Sequence, residues 1–348
     1  LTAEGAVAQP ELAPPRLDTA GEVLPAGALA RLGSLDLHHP ARIVSLAARG
    51  PYLLSCDAEG EVRLWHARTG HPSLPRGELG SASVCALAPS GEWFALASGE
   101  GLLQLRSCED GRLLTELDTG IVPSALAISS DGAQLALVAE ASDGGLFDFD
   151  GALLQPRRAL PPLRDFAFAS GDSTRAAGID PNGTLLVFDG VELSTLASLP
   201  DAVMQGRHRI AFSPDGRHLA ISGARVRVLD ALSLEPVLLL DDGEALAVSD
   251  VAFSPSGKLL ASLHQQRMRL WQAETGAARD ILRFEGAFAT ALAFVDEDTV
   301  AVALGAELVL YDIAAGRRDA ALQRHRGAIL ALAFSPTVGA SPRRGKVG

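Results

Sequence analysis

Lysine is almost missing from this sequence: Lys258 and Lys346 are the only two in 348 residues. Positive charge is therefore carried by arginine, as a GC-rich coding preference produces, and it does not balance the acids. The formal net charge is −12. A chain this acidic repels a nucleic-acid backbone and an anionic lipid surface, so neither is expected as a partner. Cysteine is scarce as well. Cys56, Cys85 and Cys108 are odd in number and have no metal-ligand spacing, which points to buried thiols, with a disulfide or a redox role as the other readings. No stretch approaches the ~18 consecutive apolar residues of a membrane span. Convincing helical periodicity is also lacking, so there is no glycine-rich phosphate loop opening a helix and no nucleophile elbow in a strand–turn–helix setting. The eight histidines form no HExxH or other paired spacing. No metal, cofactor or catalytic residue is expected on these grounds.

What is present is a repeat. The stretch Val251–Gly276 recurs along the chain: the position of Phe253 returns at Leu46, Leu87, Ile128, Phe168, Phe212, Phe294 and Phe334, every 40 to 44 residues. The position of Trp271 returns at Trp65, Arg106, Phe149, Phe188, Leu229 and Tyr311 on the same beat. Each unit reads as short apolar runs of strand length separated by turns, such as Ser254-Pro255-Ser256-Gly257 and Glu274-Thr275-Gly276. Four strands in a unit of ~40–45 residues are the signature of a β-propeller blade. A lone blade cannot bury both faces of its sheet, so blades must pack side by side around an axis. The fold class expected is therefore all-β, a propeller of four-stranded blades. Seven blades fit best, with eight, or a truncated larger array, as the alternative.

Phe212-Ser213-Pro214-Asp215-Gly216 followed by Leu219-Ala220-Ile221-Ser222, and Arg269-Leu270-Trp271 followed by Thr275-Gly276, resemble the repeat of the bacterial-type WD-repeat (WD40) β-propellers. Arg63-Leu64-Trp65 with Thr69-Gly70 is similar. The resemblance runs from about Arg31 to Phe334. It departs from the family at the Trp-Asp pair, since His66 follows Trp65 and Gln272 follows Trp271. The family's hydrogen-bonded His, Ser, Trp and Asp network is on this reading incomplete in every blade. His39 and His325 stand four residues before Ile43 and Ile329, where the resemblance implies a structural loop histidine.

Residues 1–24 read as a disordered Ala/Pro-rich leader, and residues 25–336 as the propeller. Blades are expected near 43–79, 84–120, 124–160, 164–199, 208–241, 249–285 and 289–323, with a further repeat starting at 327–336. Arg31–Leu37 reads as a single strand, which the resemblance would place at the outer edge of the last blade. Ala6-Val7-Ala8 before Gln9-Pro10 has the form of a signal-peptidase site, which points to export to the periplasm or cell surface; a low-complexity leader on a cytoplasmic protein is the other reading. The tail from Thr337 to Gly348 loses the pattern. With GC-rich codons and one preceding base it back-translates to Asp-Gly-Arg-Arg-Leu-Ala-Ser-Ala, the expected continuation, so residues 337–348 are expected to be an out-of-frame, unstructured tail.

The loops before the first strands and between the second and third strands should share one face of the ring. The candidate partner-binding residues there are Arg42, Glu59, Glu100, Arg207, His208, Arg209, Arg225, His264 and Arg267, acidic on the early blades and basic on blades 5 and 6. The resemblance implies a non-catalytic scaffold, a monomeric ring holding a protein or peptide on that face. One alternative is a propeller hydrolase, marked by carboxylates or histidines from several blades converging on the axis. The other is a sensory or regulatory piece of a longer protein.

Overall fold

The computed structural model describes residues 38–74, 79–169, 175–189, 194–200, 202, 209–241, 247–264, 266–284, 288–314 and 317–318, all within one compact unit. Those residues form seven small antiparallel sheets, each joining consecutive strands as a meander, and no helix occurs among them. The first strands are Ile43–Arg49, Val84–Leu87, Ala125–Ile128, Asp165–Phe168, Ile210–Phe212, Val248–Phe253 and Ala289–Phe294. Each neighbours the first strand of the next sheet, and Ala289–Phe294 returns to Ile43–Arg49. The unit is a closed, seven-bladed β-propeller.

Hydrophobicity follows distance from the axis. Second strands such as Trp93–Ala97 are buried at every residue, because a neighbouring blade covers each face. Fourth strands such as Leu113–Asp118 alternate between exposed and half-buried positions, as strands with one wet side do. Seven apolar clusters lie in the seven gaps between blades. In the gap between blades 2 and 3, for example, Trp93, Leu103 and Leu105 pack with Leu135, Leu137 and Phe149. The gap that closes the ring is filled by Ile43, Leu53 and Trp65 of blade 1 against Ala291, Ala301, Leu308 and Leu310 of blade 7.

The turn after the first strand explains why Ser, Asp and Gly recur in the repeat. In blade 5, buried Ser213 accepts the His218 amide at 2.9 Å and donates to Asp215, while Gly216 takes a φ of 69° to reverse the chain. Blade 3 builds the same turn from Ser129, Asp131 and Gly132.

The structure corrects three expectations. Blade 1 has a three-stranded sheet among the described residues; after Val62–His66 two isolated bridges form, Trp65 with Pro72 and Glu61 with Ser81, and residues 75–78 between them lie outside the described residues. Of the positions that repeat with Phe253, whose shared apolar character implies burial, Leu87, Phe168, Phe212 and Phe294 are buried, but Leu46, Ile128 and Phe253 itself are half-buried. Leu46, Leu87 and Ile128 line the central channel. The third correction, to the polar network, is described with the site. The leader, the Arg31–Leu37 strand, the repeat start at 327–336 and the tail all lie outside the described residues. At the border, His38 pairs with Glu307 and the His39 amide donates to Ala306 O at 2.8 Å, while Arg317–Arg318 pairs with the same third strand of blade 7 at Tyr311 and Asp312.

Candidate functional site

The first strands surround a central channel. Its narrow part is a cavity of about 330 Å3, walled by small residues such as Ala47, Ala86, Ala127 and Ala291 together with larger apolar ones such as Leu87 and Leu126. Three charged residues occupy the position three before the repeat's apolar anchor in consecutive blades: Asp165, Arg209 and Asp250. Arg209 Nη1 donates to Asp165 Oδ1 at 3.1 Å. Asp165 Oδ2 accepts the Ile210 amide of blade 5 at 2.8 Å, and Asp250 Oδ2 accepts the Leu292 amide of blade 7 at 2.9 Å. Each carboxylate thus fastens its blade to the next. Burial raises the Asp165 carboxyl above the usual range against the opposing pull of Arg209, and pushes Asp250 up to about 6. The Asp165 charge in turn raises Arg209.

Above the channel a wider mouth of about 870 Å3 lies over blades 1 to 3. Asp57, Glu59, Glu140 and Arg164 line it, and Arg209 and Val84 line both mouth and channel. Arg164 Nε donates to Glu140 at 3.0 Å. Glu59, Glu140 and, beside the mouth, Glu100 and Asp143 are exposed on second-to-third-strand turns of blades 1, 2 and 3.

Of the nine candidate residues, Glu59 and Glu100 are on this exposed face, and Arg42 is exposed just before the first strand of blade 1. Arg225 is exposed and bridges to Asp241 at 3.1 Å. Arg209 faces the channel, held by Asp165. His264 and Arg267 are 3 % exposed, opposite one another at the end of the blade 6 hairpin, so they offer no docking surface. Arg207 and His208 lie outside the described residues.

Blade 1 holds a polar network that the sequence reading denied to every blade. Trp65 Nε1 donates to Ser55 Oγ at 2.8 Å, Ser55 Oγ donates to His39 Nε2 at 2.7 Å, and His39 Nδ1 donates to Asp57 Oδ2 at 3.2 Å. Asp57 also accepts the amides of Glu59 at 3.0 Å and Glu61 at 2.9 Å, which fixes the turn carrying Glu59 at the mouth. These directions require a neutral imidazole. Burial, helped by the Arg63 charge and resisted by Asp57, lowers His39 to about 4, so the close His39–Asp57 pair is a hydrogen bond and no ion pair at neutral pH. The acid in the network is the residue two after the serine, in the hairpin turn, whereas the sequence reading sought it after the tryptophan. Blade 6 keeps half of the arrangement: Trp271 Nε1 donates to Ser262 Oγ at 2.9 Å, and His264 stands where Asp57 stands in blade 1. In both blades the arginine two before the tryptophan lies over its ring, Arg63 at 5.6 Å and Arg269 at 5.2 Å.

The family described as "WD domain, G-beta repeat" matches residues 237–272, from the outer strand of blade 5 through the third strand of blade 6. The chain is a seven-bladed β-propeller carrying a WD40 repeat. No curated protein matches the chain. WD40 domains in general bind proteins or peptides and are typically scaffolds without catalysis. No helix among the described residues is long and apolar enough to cross a membrane.

Proposed function

We propose that this WD40 propeller is a non-catalytic scaffold, acting as a monomeric ring, that docks a basic extended segment of a partner protein at the mouth over blades 1 to 3. The observation that carries this reading is the division of charge at the face. Glu59, Glu100, Glu140 and Asp143 are exposed on hairpin turns at or beside a cavity of about 870 Å3, and the two arginines that line it among the described residues are each engaged, Arg164 by Glu140 and Arg209 by Asp165. The docking face on this reading is the acidic sector; of the basic candidates, Arg209 is held by Asp165, Arg267 is buried, and Arg225 is exposed but paired with Asp241. The channel carboxylates each accept the next blade's amide, an arrangement that suits stapling better than proton transfer.

The test is binding of a fluorescent arginine-rich peptide, read by anisotropy at low and physiological salt. The full chain should bind with an affinity that falls as salt rises. The triple variant E59K/E100K/E140K should bind at least about tenfold more weakly with an unchanged melting temperature, since removing several complementary charges costs at least about 1.4 kcal/mol. Undiminished binding by that variant would sink the assignment.

A further inference from the structure

Two of the three cysteines meet where blades 1 and 2 join the channel wall. Cys56, wholly buried, is on the second strand of blade 1, Tyr52–Asp57. Cys85, 6 % exposed, is on the first strand of blade 2 and lines the channel. Ser45 links them. It is the cross-strand partner of Cys56, and its Oγ accepts the Cys85 amide at 3.3 Å and the Cys85 thiol at 3.5 Å. Cys85 Sγ also approaches Leu54 O, on the same strand as Cys56, at 4.0 Å. Both cysteines belong to the apolar cluster between the two blades, and neither is in a disulfide.

We propose that Cys85 and Cys56 form a redox-active dithiol opening on the central channel, which a low-molecular-weight disulfide converts into a covalent link between blades 1 and 2. Cys85, on the channel wall, is the attacking group. The hydrogen bond from Cys56 stabilises its thiolate most, and the Ser45 hydroxyl and the Arg209 charge add to this against the penalty of burial. Cys56, whose proton is held by that same bond and by burial, is the resolving group. In the first step the Cys85 thiolate attacks one sulfur of the small disulfide; a mixed disulfide forms and one thiolate leaves through the channel. In the second step Cys56 gives up its proton and attacks Cys85 Sγ, releasing the second thiol. Two protein thiols are oxidised and one small disulfide is reduced to two thiols, so electrons balance. The link would fix two neighbouring blades beneath the acidic mouth.

The control is built into the chain. Cys108 is 2 % exposed, does not line the channel, and burial pushes it up to about 12, so it should not react. The native full-length chain is incubated with oxidised glutathione, quenched in acid and digested with trypsin without reduction. The three cysteines fall in separate peptides, 50–63, 77–106 and 107–112. A cross-link between the first two, with the third left as free thiol, is expected. In Cys56→Ser the peptide 77–106 should instead keep one glutathione, and in Cys85→Ser peptide 50–63 should stay unmodified. Peptide mapping of the wild-type chain decides the matter even where a variant folds poorly. Modification of Cys108 at a rate equal to that of Cys85, or no modification until denaturant is added, would overturn the proposal.

Discussion

Ser55 is the residue on which blade 1 turns, because its single oxygen accepts from Trp65 and donates to His39 in a site without solvent. Ser55→Ala would leave the indole N–H and the His39 Nε2 buried without partners, at about 1–3 kcal/mol for each. Ser262→Ala in blade 6 strands only the Trp271 indole and should cost less, so thermal denaturation of the two variants side by side tests whether the complete network is stronger than its half. Titration gives a second handle. His39 is depressed to about 4 from an ordinary 6.5, so its contribution, about 3 kcal/mol at most, is present above pH 6.5 and lost as pH falls through 4. Asp250 is raised to about 6, so its contribution is present below pH 3.8 and lost as pH rises through 6. The two slopes oppose each other between pH 4 and 6. Melting curves should show that Asp250→Asn makes the acid-side fall in stability steeper there, while His39→Gln removes the fall or inverts it.

A blade of this ring is specified by a few turn residues and by the strand nearest the axis. Phe168, Phe212 and Phe294 sit in the gaps between blades, and truncating Phe212 to alanine should cost about 3–5 kcal/mol. Phe253→Ala should cost visibly less, because that ring is only half-buried; equal losses in urea melts would contradict the burial seen here. The period alone made the all-β propeller and its seven blades legible, since seven antiparallel sheets follow one another along the chain. Period could not reveal what depends on contacts across the ring. Leu46 and Phe253 share a repeat position with Phe212, yet Phe212 is buried in the cluster between blades 4 and 5 while the other two are only partly covered at their own junctions. His264 and Arg267 looked like loop residues, but the hairpin continues to pair them edge to edge. Asp57 was visible as an acid in a turn, and only folding shows it beneath His39, a residue 18 positions earlier that reaches blade 1 from outside its sheet.

Among the described residues the face has one sector of exposed acids and one of paired or buried arginines, and the two respond differently to mutation. Arg209→Glu would place a third carboxylate between Asp165 and Asp250, so it should lower the melting temperature by many degrees; a soluble, fully stable variant would show that the channel ion pair does no stapling. Reversing Glu59, at the mouth, should leave the melting temperature nearly unchanged. The sequence could rank neither, since arginine count does not tell which guanidinium already has an acid. The ring also has one junction at which its first and last sheets meet, where the segment from His38, paired with Glu307 of blade 7, runs into Ile43 of blade 1. Each blade is a meander of neighbouring strands, whereas blade 7 meets blade 1 through contacts such as Thr290 Oγ1 with Ile43 O at 2.8 Å, 247 positions apart, and through the apolar cluster around Trp65. Closing so long a loop is entropically the costliest contact to form, so in time it should come last. Thr290→Ala should then accelerate unfolding and leave the refolding rate unchanged, giving a stopped-flow chevron that shifts on its denaturing limb alone.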